Sequence, residues 1–388
     1  MLSIRCCKFS VQVVEYYLHN FKHLRLYSTD SSNQIPKFPN QSYTNYLVHN
    51  LGFSHQQAQS ISTKVANKYA DYSKFSGNAN SVIDFLKQNG FDDTHIKKAV
   101  SSFPRILAAN VDQTLKPKFQ LFQDHGFSES NLVSVISSSP FIVSKRMDPI
   151  IRDLRAILGS TDNLIKFFRK PNLFISQSAL ANLNSNIALL NKEYGIDINV
   201  IRNAILQFPG AYLKDTEFFR NTMVRVEKEL GIPRNSGMFV YGIRLLCCFS
   251  KKGIESKCQV FKSFGWTEYD VSELMRGNPL IFQMSEENIR KKLGFLMTEL
   301  GYKPDFLATR FMLLSCSLEN RLVPRHRVVL FLKEKGLLDY NFYTATKKTE
   351  KEFLTILIEP FKEDAPGLLE LYQSSKGHSN IDAISRRC

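Results

Sequence analysis

The residues best suited to chemistry in this chain are basic, and they recur. Arg105, Lys116 and Lys118 lie near one proline-marked break and the helix start that follows it; Lys145 and Arg146, then Arg169 and Lys170, lie near the next two. Lys251 and Lys252, then Arg290, Lys291 and Lys292, and finally Arg321, Arg325 and Arg327 take comparable places further along. Ammonium and guanidinium groups need no cofactor to donate charge-assisted hydrogen bonds to phosphate oxygens. If repeating units stack in register, equivalent positions line one edge and can follow a phosphate backbone. Exposed backbone N–H groups at the nearby helix starts suit the same anion. Any one of these residues alone reads more simply as a solvated helix face. The recurrence carries the phosphate reading.

Other chemistries find no support in the residues. There is no phosphate-binding glycine loop, no HExxH and no GxSxG. His49, His55, His95, His125 and His326 stand singly in helical stretches. The seven cysteines are Cys6, Cys7, Cys247, Cys248, Cys258, Cys316 and Cys388, and none has the two-residue spacing of a zinc knuckle. We therefore expect no enzyme, no cofactor and no metal, with reduced thiols in a non-secretory compartment. Cys247 and Cys316 are expected in the core as small hydrophobes.

The elements that position the basic residues follow from glycine and proline. Gly52, Gly90, Gly126, Gly159, Gly195, Gly231, Gly265, Gly301 and Gly336 are 33 to 38 residues apart, so half of the 18 glycines stand on one lattice. The residue five before each is apolar, from Leu47 to Phe331, and the residue after is apolar in every copy except the fourth, where it is Ser160. A left-handed glycine just past a helix, with an apolar residue folding back on the last turn, is a Schellman stop. Ser54, Asp92, Ser128, Thr161, Asp197 and Thr267 stand two residues past six of these glycines and are N-cap types that open the next helix.

Pro104, Pro140, Pro171, Pro209 and Pro279 form a second lattice, 19 to 24 residues before the next glycine. Proline cannot continue a helix, so each separates two helices of a unit. Ile243 and Phe311 occupy that place without proline, and Ile243-Arg244-Leu245-Leu246 still aligns with Pro104-Arg105-Ile106-Leu107. The pattern predicts an all-α fold, an α-solenoid of about eight to nine helical repeats of ~35 residues forming a superhelix.

Residues 46–339 read as the solenoid and 340–373 as a helical cap split by Pro366-Gly367, with a polar tail over 374–388. Residues 1–27 carry Arg5, Lys8, Lys22 and Arg25 against Glu15 alone, the acid-poor composition of a mitochondrial presequence, with cleavage expected after Tyr27. Residues 28–45 read as a disordered linker. Loss of the leader's three excess positive charges takes the net charge from +15 to +12. So basic a protein favours an acidic partner, nucleic acid before an anionic membrane. No apolar run is long enough to span a membrane, and no insertion is expected.

Several stretches resemble the mitochondrial transcription termination factor (mTERF) family in its land-plant form. They are Gly90-Phe91 through Ser102-Phe103-Pro104-Arg105-Ile106-Leu107, Leu115-Lys116-Pro117-Lys118-Phe119, Gly277-Asn278-Pro279-Leu280-Ile281-Phe282 and Ser317-Leu318-Glu319-Asn320-Arg321-Leu322-Val323-Pro324-Arg325. Lys348-Thr349-Glu350-Lys351-Glu352-Phe353-Leu354 and Pro366-Gly367-Leu368-Leu369-Glu370-Leu371-Tyr372 look like that family's terminus. The missing prolines at 243 and 311 and a polar fourth repeat depart from its pattern. The resemblance implies a left-handed superhelix of three-helix repeats, the third helix short, with a basic concave path for nucleic acid. It also implies work in organelle gene expression: transcription termination or initiation, intron splicing or ribosomal RNA maturation.

The expectation is thus a monomeric nucleic-acid-binding protein of the mitochondrial matrix, with the chloroplast as the alternative address. It is expected to regulate transcription, for example by termination, on double-stranded DNA, with structured RNA second, alongside the organelle's transcription or RNA-processing machinery. An RNA factor for splicing or ribosomal RNA maturation, or a protein-binding scaffold, are the competing readings. Reading RNA one base per repeat would need a recurring polar pair, and none stands on this lattice. Helix layers ~8–10 Å apart give eight or so repeats a path of roughly 80 Å, or about 20 base pairs at ~3.4 Å each.

Overall fold

Among the described residues, nine turns built on the left-handed lattice glycines separate successive helices of the chain. Its computed structural model describes residues 41–66, 73–171, 173 and 175–377, and all nine lattice glycines have φ between 62° and 84°. At eight of them the next residue's N–H donates to a carbonyl five or six residues back, as in Phe53 to Leu47 (3.1 Å), Phe127 to Phe122 (3.1 Å) and Leu337 to Leu332 (2.9 Å). The apolar side chain thereby folds onto the helix just ended. Phe127 packs edge-on to Phe122 at 5.1 Å between ring centroids, and Phe122 meets Phe168 of the following helix pair at 6.1 Å. Such pairs contribute about 0.5–1.5 kcal/mol beyond their buried area.

Asp92, Ser128, Asp197 and Thr267 cap the helices Asp93–Ser102, Glu129–Ser138, Ile198–Gln207 and Glu268–Gly277, as their spacing leads one to expect. Ser54 and Gln57 exchange bonds of 3.3 and 3.2 Å at the start of His55–Ala66. The fourth copy corrects the expectation. Ser160, not Thr161, is the N-cap of Thr161–Phe168, accepting from the Asn163 N–H. A serine has no apolar surface to fold back on Asp148–Leu158, so the next helix opens one residue sooner.

Four of the prolines start short helices: Pro104–Ala108, Pro140–Ser144, Pro209–Tyr212 and Pro279–Gln283. Their fixed φ suits the first helical position, where no N–H is needed. These are the short third helices that the resemblance implied. At Phe311 the break survives without proline, carried by Arg310 (φ −115°, ψ 44°) ahead of Met312–Ser315. At Ile243 it does not. The backbone N–H is retained there, and a single helix runs from Phe239 to Cys248.

Among the described residues there is no strand, and the chain divides after Gln113 into two units. The first holds Gln41–His49, His55–Ala66, Ser73–Gln88 and Asp93–Ser102. Its first helix starts inside the expected linker, because Tyr43 and Thr44 are buried and the Thr44 hydroxyl bonds Ser62 Oγ at 2.8 Å. The second unit carries the remaining repeats and the cap. Thr349 and Glu352 form a capping box at the start of Glu350–Leu357, and Gly367 (φ 96°) separates it from Leu368–Ser374. Phe353, Leu357 and Tyr372 of the cap are buried with Val328 and Leu332 of Val323–Glu334. The expected presequence, most of the linker and the tail beyond residue 377 lie outside the described residues.

Candidate nucleic-acid interface

A short helix ends with carbonyls that have no partner within the helix. In this chain the donor comes from the second helix of the preceding repeat. Asn78 of Ser73–Gln88 donates to the Ala108 carbonyl (3.4 Å), and Asn186 of Gln177–Ala188 to those of Tyr212 and Lys214 (both 2.9 Å). Lys118 of Lys116–Asp124 donates to the Lys145 carbonyl, and Lys292 of Glu286–Leu293 to that of Leu314 (2.6 Å). Arg325 of Val323–Glu334 reaches Ala345 (2.8 Å), Thr346 (3.3 Å) and Lys348 (2.6 Å) at the end of Phe342–Lys347. A cation there also meets the negative end of the helix dipole.

These clamps remove several candidates from the phosphate set. Arg325 is 1% exposed, stacked over the Phe353 ring at 4.5 Å and paired with Glu350 at 3.2 Å. Lys292 is 3% exposed, and burial lowers its pKa below the usual lysine range. Arg321 is half-buried and donates to the Thr346 (3.0 Å) and Lys348 (2.6 Å) carbonyls. Burial corrects the placing of Arg325 and Lys292 with the phosphate ligands, while Arg321 stays part-exposed as it donates to two carbonyls.

The exposed candidates sit at the breaks and helix starts. Arg105 lies in Pro104–Ala108, Lys116 opens Lys116–Asp124, and Lys145 and Arg146 follow Pro140–Ser144, all with exposed side chains. Lys118 is half-buried beside Arg146, and burial followed by that guanidinium's repulsion lowers its pKa. Lys118, Lys145 and Arg146 therefore gather cations from two successive repeats. Arg169 donates to Ser134 Oγ (2.7 Å) and Asn131 Oδ1 (2.9 Å), and Arg327 to Ser375 Oγ (3.1 Å). Lys251, Arg290 and Lys291 make exposed pairs with Glu255, Glu286 and Glu287, at 4.0, 3.8 and 2.9 Å. Such pairs contribute only about 0.3–0.5 kcal/mol each, so a phosphate can compete for them. Lys252 is exposed beside Lys251.

Two half-buried cations absent from the sequence-based set stand at comparable places. Lys214 stands five residues past Pro209, as Lys145 does past Pro140, and Arg244 aligns with Arg105. That alignment was the signal that could have found them. Lys170 is half-buried, and burial followed by Arg244 lowers its pKa. Burial raises the Cys248 thiol to about 11 and Cys247 to about 12, so both stay protonated packing groups. Cys316, expected in the core, is only partly buried. Among the described residues no three His, Cys, Asp or Glu side chains gather as a metal site, and no helix is long and apolar enough to cross a membrane.

Comparison with known proteins agrees with the geometry. The mTERF family model matches residues 83–192 and 143–354, overlapping stretches that cover well over half of the 388 residues. The Arabidopsis thaliana protein "Transcription termination factor MTERF15, mitochondrial" is 28% identical over 117 residues, 29% of this chain and 26% of that protein. "Transcription termination factor MTEF18, mitochondrial", from the same plant, is 30% identical over 106 residues, 27% of this chain and 19% of its own length. The chain thus aligns with about a quarter or less of each relative. With the glycine stops, the proline-started short helices and the family match in agreement, the chain belongs to the mTERF family, a family of helical-repeat solenoids.

Proposed function

We propose that this protein binds nucleic acid through phosphates and regulates organelle gene expression, with double-stranded DNA as the favoured ligand and transcription termination as the favoured role. The observation that carries the reading is the exposed pair Lys145 and Arg146, with the half-buried Lys118, held by the Lys145 carbonyl, beside them. Burial first, and then the like charge of Arg146 from the next repeat, lowers the Lys118 pKa, and a bound phosphate would offset that repulsion. Arg105, Lys116, Lys251 and Lys252, exposed at comparable breaks and helix starts, extend the same chemistry. Mitochondrial action is supported by the names of both relatives and by the acid-poor leader.

The mechanism is counterion release. Each phosphate neutralised by Lys or Arg frees condensed cations, so log affinity falls by about 0.9 per decade of salt for each contact on duplex DNA. The test is fluorescence anisotropy with a 20-base-pair duplex, an equal single-stranded RNA and a stem-loop RNA at several salt concentrations. Duplex binding with a steep slope, reduced in Lys145→Ala/Arg146→Ala, is the expected result. Tight and weakly salt-dependent binding to single-stranded RNA alone would transfer the function to RNA. Binding to none of the three would leave a protein-binding scaffold.

A further inference from the structure

Five side chains with flat or charged faces form one row near the C-terminal end of the second unit. Tyr302, Phe306 and Arg310 stand four residues apart, which puts them on one face of Pro304–Thr309 and the residues flanking it. Tyr343 and Lys347, also four apart, lie on Phe342–Lys347 of the next repeat. The Tyr302 and Phe306 rings are parallel within 8°, with centroids 4.8 Å apart. Phe306 meets Tyr343 edge-on at 6.3 Å. The Arg310 guanidinium lies 4.1 Å from the Phe306 centroid and 5.7 Å from that of Tyr343, and Lys347 Nζ stands 5.3 Å over the Tyr343 ring.

Packing alone does not account for the row. Leu307, Ala308, Phe342 and Ala345 bury the inner faces of the same two helices, while Tyr302, Phe306, Arg310 and Tyr343 keep part of their surface and Lys347 is exposed. Arg310 makes the break after Thr309 itself, at φ −115° and ψ 44°, so its side chain is held at the junction of two repeats. Its only hydrogen bond among the described residues is to the neighbouring Thr309 hydroxyl (3.2 Å), and Asp305 of the same helix pairs with neither Arg310 nor Lys347. A partner that fits must therefore offer flat faces and negative charge at short intervals. An unpaired nucleotide strand offers both, since each base has a π face and each linkage a phosphate. A duplex hides those faces in its own stack, and an acidic peptide brings charge without them.

We infer that Tyr302, Phe306, Arg310, Tyr343 and Lys347 form a stacking site for single-stranded nucleic acid, where bases lie against the uncovered ring surface and Arg310 and Lys347 hold phosphates. The site goes beyond the duplex reading and shares no residue with the break at Lys145 and Arg146. Stacking on aromatic and guanidinium faces tolerates any base, so the site takes an unpaired strand without regard to its sequence.

The test is fluorescence anisotropy of the full chain with a labelled single strand as long as the duplex used above, and with an abasic strand of equal length and charge. The parent should bind the base-bearing strand more tightly. Tyr302→Leu/Tyr343→Leu, which keeps apolar bulk and removes two rings, should weaken that binding by about 5–150-fold for each base that loses its platform and leave the abasic strand unchanged. Tyr302→Phe/Tyr343→Phe, which keeps both rings, should behave as the parent and guards against a variant that merely folds poorly. Arg310→Gln should reduce the salt slope on the single strand by about 0.7. Lys145→Ala/Arg146→Ala should lose duplex slope and keep the preference for bases. A preference lost in that variant and kept in the tyrosine-to-leucine one overturns the placement. A parent that prefers bases but binds no duplex defeats the duplex reading and leaves this site standing. Equal parental affinity for the two strands would leave a merely cationic surface, of the kind an acidic protein fits, and overturns the proposal.

Discussion

Arg325→Ala separates clamping from binding most cleanly. The substitution removes a side chain that is 1% exposed and donates to three carbonyls while pairing with Glu350. Carbonyls left without a donor cost about 1–3 kcal/mol each, about 3–5 kcal/mol together for these three, and the ion pair adds little because the Glu350 side chain is 46% exposed. Glu350 keeps Lys376 and Tyr372 as partners, so its own loss is partial and the total sits within that range. At roughly 2–4 °C per kcal/mol, the melting midpoint should fall by about 6–20 °C. The loss should be local, with faster amide exchange over residues 342–374, because repeat stability is a nearest-neighbour property. The duplex salt slope of the folded protein should not change. Arg146→Ala should do the opposite, leaving the midpoint within a degree or two and reducing the slope by about 0.9. Calorimetry and anisotropy on the same preparations read both quantities. An Arg325→Ala protein that melts like the parent but loses slope would refute the division between buried clamps and exposed ligands.

Three further outcomes follow from the geometry. Gly301 has φ 71° and open space where a Cβ would stand, so Gly301→Val should cost the ~1–2 kcal/mol of left-handed strain alone, and parental melting would show that the turn does not depend on it. Burial alone would raise the Glu350 carboxyl, but bonds from Lys376, Tyr372 and Arg325 outweigh it and hold the pKa below the usual range. Its stabilisation is therefore complete above the unfolded value of about 4.3 and lost as the pH falls through the folded value, so Glu350→Gln should lower the midpoint at pH 7 and converge with the parent in acid. Gly242→Ala should destabilise by about 1–3 kcal/mol through overpacking against Val226 and Ile232. Unaltered melting would show that this close approach is not tightly packed.

The turns were readable in advance because their causes are local. A left-handed glycine and the apolar residue after it need only each other and the last helical turn, which is why the lattice from Gly52 to Gly336 is matched at every copy. The misjudged cap at Thr161 has the same origin: whether a chain folds back after glycine depends on the next side chain, and Ser160 offers no apolar surface. Ile243 was harder. A missing proline permits continuation without requiring it, and Phe311 shows the opposite outcome at an equivalent place. What decides is the surrounding packing, such as the contact of Gly242 with Val226, which no single stretch reveals.

The basic residues divide along a line that helical periodicity draws. Lys292 follows Ile289 by three and precedes Leu296 by four, and Arg325 stands between Leu322 and Val329 at the same intervals, all four apolar residues being buried. A cation on the apolar stripe of an amphipathic helix must find acceptors inside, and the nearest are the orphan carbonyls ending the next repeat's short helix. Lys291, Arg290 and Lys116 stand off that stripe and stay exposed. Basicity in such a chain therefore has two sources, one demanded by stacking short helices and one left over for a ligand. The net charge of +15 counts both. Only the second can produce a salt-dependent affinity, so the slope to be expected is set by the exposed break cations and not by the total.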